Sequence, residues 1–198
     1  MSASEILALL ILGLVLFVAG HQLYFWCQRH PLFPATRFWF AVDQRIPYRP
    51  EWVWVYTPLY YSVIVSVVWV VDSWRTFVLV AGSYALLLAM QAAFFLLFPV
   101  ATPREWRDFN QRRTPAERLL AAVQDFDMRS NSFPSMHVSV ATLSALHLLP
   151  AAGSPVLLFP LLVAMSCVLT KQHYLVDLPT GAGLGYAAHL LARTLVTS

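Results

Sequence analysis

The chain has 198 residues, 59% of them hydrophobic and only 12% charged, with a mean hydropathy of +0.62. Soluble domains carry about 25% charged residues, so this composition excludes an ordinary water-soluble domain and predicts an integral, multi-pass membrane protein. The net charge of +3, with no basic run interleaved with aromatics, argues against nucleic acid as a partner. Cys27 and Cys167 lie far apart with no C-x-x-C spacing, which argues against a disulfide framework or a zinc site.

The first expected span covers residues 6–26. Residues 1–5 contain no basic residue and no small-residue cleavage site is clear, so the segment reads as a retained span rather than a signal peptide. Residues 29–50 hold four arginines and four prolines, which break any long helix. Phe38-Trp39-Phe40 suits an interfacial loop anchored by aromatics, and Asp43 with Ile46-Pro47-Tyr48 suits the rim of a substrate entrance. Spans two and three are expected over residues 53–71 and 76–98, with Gln91 placed for a helix–helix hydrogen bond.

Residues 100–133 form the longest hydrophilic stretch. Within it, Thr114-Pro115-Ala116-Glu117 carries a helix start: a Thr cap, Pro at the first position and Glu at the third. Leu119, Leu120, Val123 and Phe126 then recur at helical spacing, which predicts a short amphipathic helix on the membrane or over a site. Span four starts at Pro134-Ser135 and runs to residue 149, residues 150–155 form a turn, and spans five and six cover residues 156–169 and 178–196. Gly181, Gly183 and Gly185 offer small surfaces for close helix contact. They are not a dinucleotide loop, because no strand precedes them.

The expected fold is therefore an all-α integral membrane protein of six transmembrane helices, with an amphipathic interfacial helix between spans three and four. The whole chain, 1–198, reads as one domain with its catalytic core at about residues 76–198. Six spans put both termini on one side, and the polar loops after spans one, three and five on the other. That second face carries 11 of the 13 basic residues, which the positive-inside rule assigns to the cytoplasm.

Two polar stretches end apolar runs on that face: Asn131-Ser132-Phe133-Pro134-Ser135-Met136-His137 and Lys171-Gln172-His173-Tyr174-Leu175-Val176-Asp177. A histidine or aspartate at the edge of a span is costly unless paired or used. Pro134-Ser135-Met136-His137 opens a helix, whose free N–H groups favour a phosphate, and Ser135 adds a hydroxyl. His173 and Asp177, four apart, can pair, which fixes the imidazole tautomer and raises the basicity of its other nitrogen. That is what a nucleophilic histidine needs. Lys171 and Arg104 are candidates to bind phosphoryl oxygens. No acidic cluster suited to two metals accompanies them, so a metal-free covalent route is expected, with no cofactor. Each signal alone fits a helix cap or a paired membrane histidine; together, at matching ends of adjacent spans, they point to chemistry.

The pattern resembles the type 2 phosphatidic acid phosphatase superfamily. Pro134-Ser135-Met136-His137 is similar to its P-S-G-H motif with Met in the Gly place, and Ser166 to Asp177 is similar to S-R-x5-H-x3-D, with Cys167 in the Arg place. The context, with Phe98-Pro99-Val100-Ala101-Thr102-Pro103-Arg104 and residues 43–56, resembles the inositol phosphorylceramide and sphingomyelin synthase branch. The family's K-x6-R-P is not matched: Pro103-Arg104 is reversed and Leu97 stands where Lys would be. The resemblance implies His173 as nucleophile, Asp177 as its orienting group, His137 as acid and then base, and Ser135, Arg104 and Lys171 at the phosphate. It implies a lipid phosphate phosphatase working through a phosphohistidine. The alternative is a phosphotransferase that moves a phospho-headgroup onto a lipid or polyol hydroxyl. A non-catalytic membrane scaffold is the third reading. The expected partners are a lipid substrate and the membrane itself (the cell membrane, if the source is bacterial). Many family members place this face outside the cytoplasm, against the charge count.

Overall fold

A computed structural model describes residues 3–38 and 40–197. Trp39, expected at the headgroup level, lies outside the described residues. The described chain is all-helical. Its α-helices are α1 (Ala3–Arg29), α2 (Ala41–Arg45), α3 (Tyr60–Ser66), α4 (Trp74–Leu97), α5 (Pro115–Phe126), α6 (Met136–Ala152), α7 (Leu158–Leu169) and α8 (Asp177–Thr197). Three stretches are long and apolar enough to cross a membrane by length and composition: Glu5–Arg29, Pro50–Val70 and Trp74–Leu97. Met136–Ala152 and Ser154–Leu169 are apolar but shorter.

Helix α1 turns most of its apolar surface outward, with Leu7, Leu14 and Val15 all exposed. A helix this apolar and this bare fits a hydrocarbon surround. Pro50–Val70 is continuous but irregular. It runs from a 3-10 turn through a π turn at Val55–Leu59, then α3, then a second 3-10 turn. Pro58 sits inside the π turn, where its missing N–H and its ring disturb the regular ladder.

The core is built around α6, with α4, α7, α8 and Pro50–Val70 packed against it. Three side-chain hydrogen bonds tie α4 to α6: Ser83 with His147 at 2.7 Å, Tyr84 with Ser144 at 2.6 Å, and the Gln91 amide to Ser139 Oγ at 2.8 Å. Rising numbers on α4 meet falling numbers on α6, so the two run antiparallel. The expected role of Gln91 is thus met. Helix α8 presses its backbone onto α6. A Cβ added at Gly181 would lie 2.5 Å from the Ser135 carbonyl oxygen, and one at Gly185 2.2 Å from that of Ser139. These two glycines, four apart, form the small-residue seam. Gly183, also expected to serve close packing, has nothing near a Cβ position, because it lies on another face.

Helix α6 runs past Pro150 to Ala152, where a turn was expected, and ends at Gly153, whose φ of 72° lies in the left-handed region. Glycine takes that conformation without a Cβ clash, so the stop falls there. Helix α5 starts in the expected capping box: Glu117 N–H donates to Thr114 Oγ1 at 3.1 Å, and Thr114 N–H donates to Glu117 Oε2 at 2.8 Å. The Thr114 N–H holds the Glu117 carboxyl below the usual range. Its Ala116 and Leu120 pack on Val53, while Phe126 is exposed.

Candidate active site

The two polar stretches meet. Ser135 caps α6, accepting from Val138 N–H at 3.4 Å. Its own N–H donates to the Asp177 carbonyl at 3.0 Å. That bond joins the first residues of α6 and α8, and the Gly181 contact holds them close. The segment that carries His137 therefore starts, and the one that carries His173 ends, at one point.

His173 is held by one nitrogen. Its Nδ1 lies 2.9 Å from the Ser132 carbonyl oxygen and 3.3 Å from Asp177 Oδ2. Both partners accept, so Nδ1 carries the proton. Nε2 is left with its lone pair and makes no hydrogen bond among the described residues. Asp177 is fully buried, and its Oδ2 also accepts from Tyr174 N–H at 2.9 Å. Two donors on one oxygen fix the carboxylate, which in turn fixes the imidazole. Burial, then the Asp177 charge, pushes the Tyr174 hydroxyl up to about 12, so it stays a donor, bonded to the Ala101 carbonyl at 3.0 Å.

His137 sits in the first turn of α6. Its ring lies edge-on to that of His173, centroids 5.9 Å apart. Tyr56 stacks on His137 at 4.1 Å, and Tyr60 packs against it at 4.8 Å. Tyr56 lies in the irregular part of Pro50–Val70, and Tyr60 opens α3 directly after it. The π turn carries Tyr56, and an irregular turn of this kind re-aims side chains. The N–H groups of Met136 and His137, first in α6, have no carbonyl to meet within the helix and are open to an anion.

Three expected site residues are placed less directly. Ser135 is buried, and its hydroxyl is occupied by the cap and by Cys167 Sγ at 3.9 Å. Lys171 is buried with φ 58°. Its Nζ donates to the Asp43 carbonyl at 2.7 Å and lies 5.2 Å from the Trp106 ring centre. Burial holds its ammonium below the ordinary lysine range, with the Asp43 carboxylate pulling the other way. Arg104 opens a 3-10 turn, Arg104–Phe109, and is exposed.

Other contributors emerge only in three dimensions. Ser132 acts through a backbone carbonyl, which no side-chain motif reveals. Tyr56 and Tyr60 do carry a sequence signal, an i, i+4 pair flanking a proline, that points at nothing until His137 is opposite. Asp43, expected at an entrance, is instead buried. Its Oδ1 accepts from Leu175 N–H at 2.8 Å, so α2 is clamped onto the loop that carries His173.

A paired histidine and aspartate, a facing second histidine and an open helix start are thus brought together in an apolar, all-helical chain. The family model of the PAP2 superfamily matches residues 30–191, and the chain belongs to that superfamily, that of the type 2 phosphatidic acid phosphatases. Membership supports a phosphatase- or phosphotransferase-type, lipid-related function. The matched range begins at residue 30, so it takes in the loop that carries Asp43. No curated protein and no solved structure matches the chain.

Proposed function

We propose that this protein is a six-span membrane enzyme that hydrolyses a lipid phosphate through a phosphohistidine on His173, without a metal. The observation that carries the reading is the double acceptor at His173 Nδ1, which leaves Nε2 as the free nucleophile opposite His137. Nε2 attacks phosphorus and forms a P–N bond as the P–O bond to the lipid breaks. His137, as imidazolium, gives its proton to the departing oxygen. It then takes a proton from water, whose oxygen attacks phosphorus. The P–N bond breaks, inorganic phosphate leaves, and both histidines return to their starting states. Asp177 stabilises the positive charge that His173 gains on attack. The N–H groups of Met136 and His137 bind phosphoryl oxygens at the helix start that Ser135 caps, with Lys171 and Arg104 adding charge.

In this reading α6, Ser154–Leu169 and α8 complete the six spans. Seventeen residues of α6 reach about 25 Å, a little short of the roughly 30 Å hydrocarbon core. The polar ends of α6 and α8 therefore sit at the membrane face, where α5 lies as an interfacial helix.

A second reading keeps the same first step and replaces water with a lipid or polyol hydroxyl. It is favoured by the two positions where the family pattern has charge. Leu97 lines an apolar pocket and Cys167 is fully buried, so less charge surrounds the phosphate than a dianionic monoester favours. Phosphate release from a panel of lipid phosphates, with chelator, beside His173→Ala, tests the first reading. Adding alcohol acceptors and following the headgroup separates the two. Equal release by the wild type and His173→Ala would refute both.

A further inference from the structure

Three backbone segments lie side by side against the motif loop. Thr36 N–H donates to the Pro99 carbonyl at 2.9 Å, and Ala101 N–H to the Thr36 carbonyl at 2.8 Å. On the other edge, Thr102 N–H donates to the Arg129 carbonyl and Ser132 N–H to the Val100 carbonyl, both at 3.0 Å. The segment 99–102 is thus the middle of a small platform, flanked by 36–38 and 129–132. Its register puts Arg37, Arg129 and Arg104 at one end. The same platform touches the site: Ser132 holds His173, Tyr174 donates to Ala101, and Phe38 packs on Tyr174 at 5.5 Å.

The three arginines lack carboxylate partners. The ion pairs among the described residues are Arg107–Asp127, Arg112–Asp125 and His173–Asp177. Asp127 is occupied by Arg107 and by the Gln28 amide, and Glu105 is exposed. Arg129 has φ 67° and donates from Nη1 to the Thr102 carbonyl at 3.4 Å, so its side chain folds back over the middle segment. Burial, then the charges of Arg104 and Arg37, hold its guanidinium below the usual arginine range. Asp127 and Glu105 pull the other way without forming a direct ion pair, and like charges gathered this way become more favourable when an anion binds between them. Under the platform, Thr36, Val100 and Phe133 also line an apolar pocket of about 340 Å³ with Phe33, Phe94 and Leu97.

We propose that Arg37, Arg104 and Arg129 form one anion-binding subsite for the phosphorylated headgroup of the lipid, with the start of its hydrocarbon chain in the pocket beneath. This deepens the enzyme reading, on which it rests, and adds Arg37 and Arg129, which match no family motif. It also explains why Leu97 can replace a cation: its place belongs to the chain rather than the headgroup.

The test is binding of two probes, inorganic phosphate and dihexanoyl phosphatidic acid, to the full chain in detergent. Binding is read in the His173→Ala background, where the proposed turnover cannot consume the probe. The lipid probe should bind more tightly than phosphate, and R37Q/R129Q should weaken it by about tenfold or more. R37K/R129K should recover part of the loss, and R112Q, which alters a remote exposed pair, should match its parent. R37Q alone, at an exposed position, should weaken binding several-fold and keeps the test valid if the double variant misfolds. Equal affinity for the two probes, or R37Q binding like R112Q, would overturn the proposal. Turnover is then measured in the wild type. Turnover without an arginine effect would defeat the subsite alone, and arginine-dependent binding without turnover would defeat the enzyme reading alone.

Discussion

At the scale of single residues, the site depends on which nitrogen of His173 holds its proton. Asp177→Asn keeps the Ser132 acceptor but removes the carboxylate that stabilises a charged imidazole. It should lower kcat by up to roughly 10⁴-fold, the loss seen when an orienting aspartate is replaced by asparagine, with KM little changed. Steady-state kinetics check this, and an unchanged kcat would remove Asp177 from the mechanism. Asp43 gives a separable prediction. Asp43→Ala removes the acceptor of the part-buried Leu175 N–H, and losing one such hydrogen bond costs about 0.5–1.5 kcal/mol. Asp43→Asn retains an acceptor oxygen and should lose less. Thermal unfolding in detergent ranks the two, and equal midpoints would mean the clamp is not made.

At the scale of helices, the contact of α8 on α6 sets the site's geometry. Gly185→Ala would drive a methyl into the Ser139 carbonyl, and Gly181→Ala into that of Ser135. Each should destabilise by about 1–3 kcal/mol through overpacking. Gly181→Ala should also reduce activity, since Ser135 anchors the start of α6. Gly183→Ala, with open space around it, should be near neutral. Unfolding midpoints of the three variants test the seam, and a loss at Gly183 as large as at Gly185 would contradict it. Much of this level was legible in the sequence. The capping box at Thr114, the bond from Gln91 and the approximate helix ranges all follow from local chemistry. The choice of two glycines among three did not, because it depends on helix rotation, and the run of α6 through Pro150 depends on where a left-handed glycine falls.

At the scale of the whole molecule, the histidine–aspartate pair was legible because its spacing is local. The second histidine's tyrosine bed and the arginine platform were not, because they join segments distant in the chain through backbone hydrogen bonds and packing. The same holds for Lys171, whose ammonium meets Asp43 and Trp106, a pairing no local pattern announces. The proposed six-span arrangement predicts opposite sidedness for two exposed loops. Cys27 and Cys167 are fully buried, so single cysteines placed at Asp108 and Ser154 should dominate labelling. In sealed vesicles of one orientation, an impermeant maleimide should modify one and spare the other. Modification of both from one side would contradict the arrangement.

The most direct test of the central claim is to trap the covalent intermediate. The wild-type full chain is mixed with a lipid phosphate in the presence of chelator and quenched under alkaline conditions within the first turnovers. Mass spectrometry of the peptide spanning residue 173 should find phosphate on His173, and none in the same experiment with His173→Ala. Lipid phosphate turnover in the wild type with no phosphate on His173 at any quench time, or with phosphate on another residue, would contradict the account.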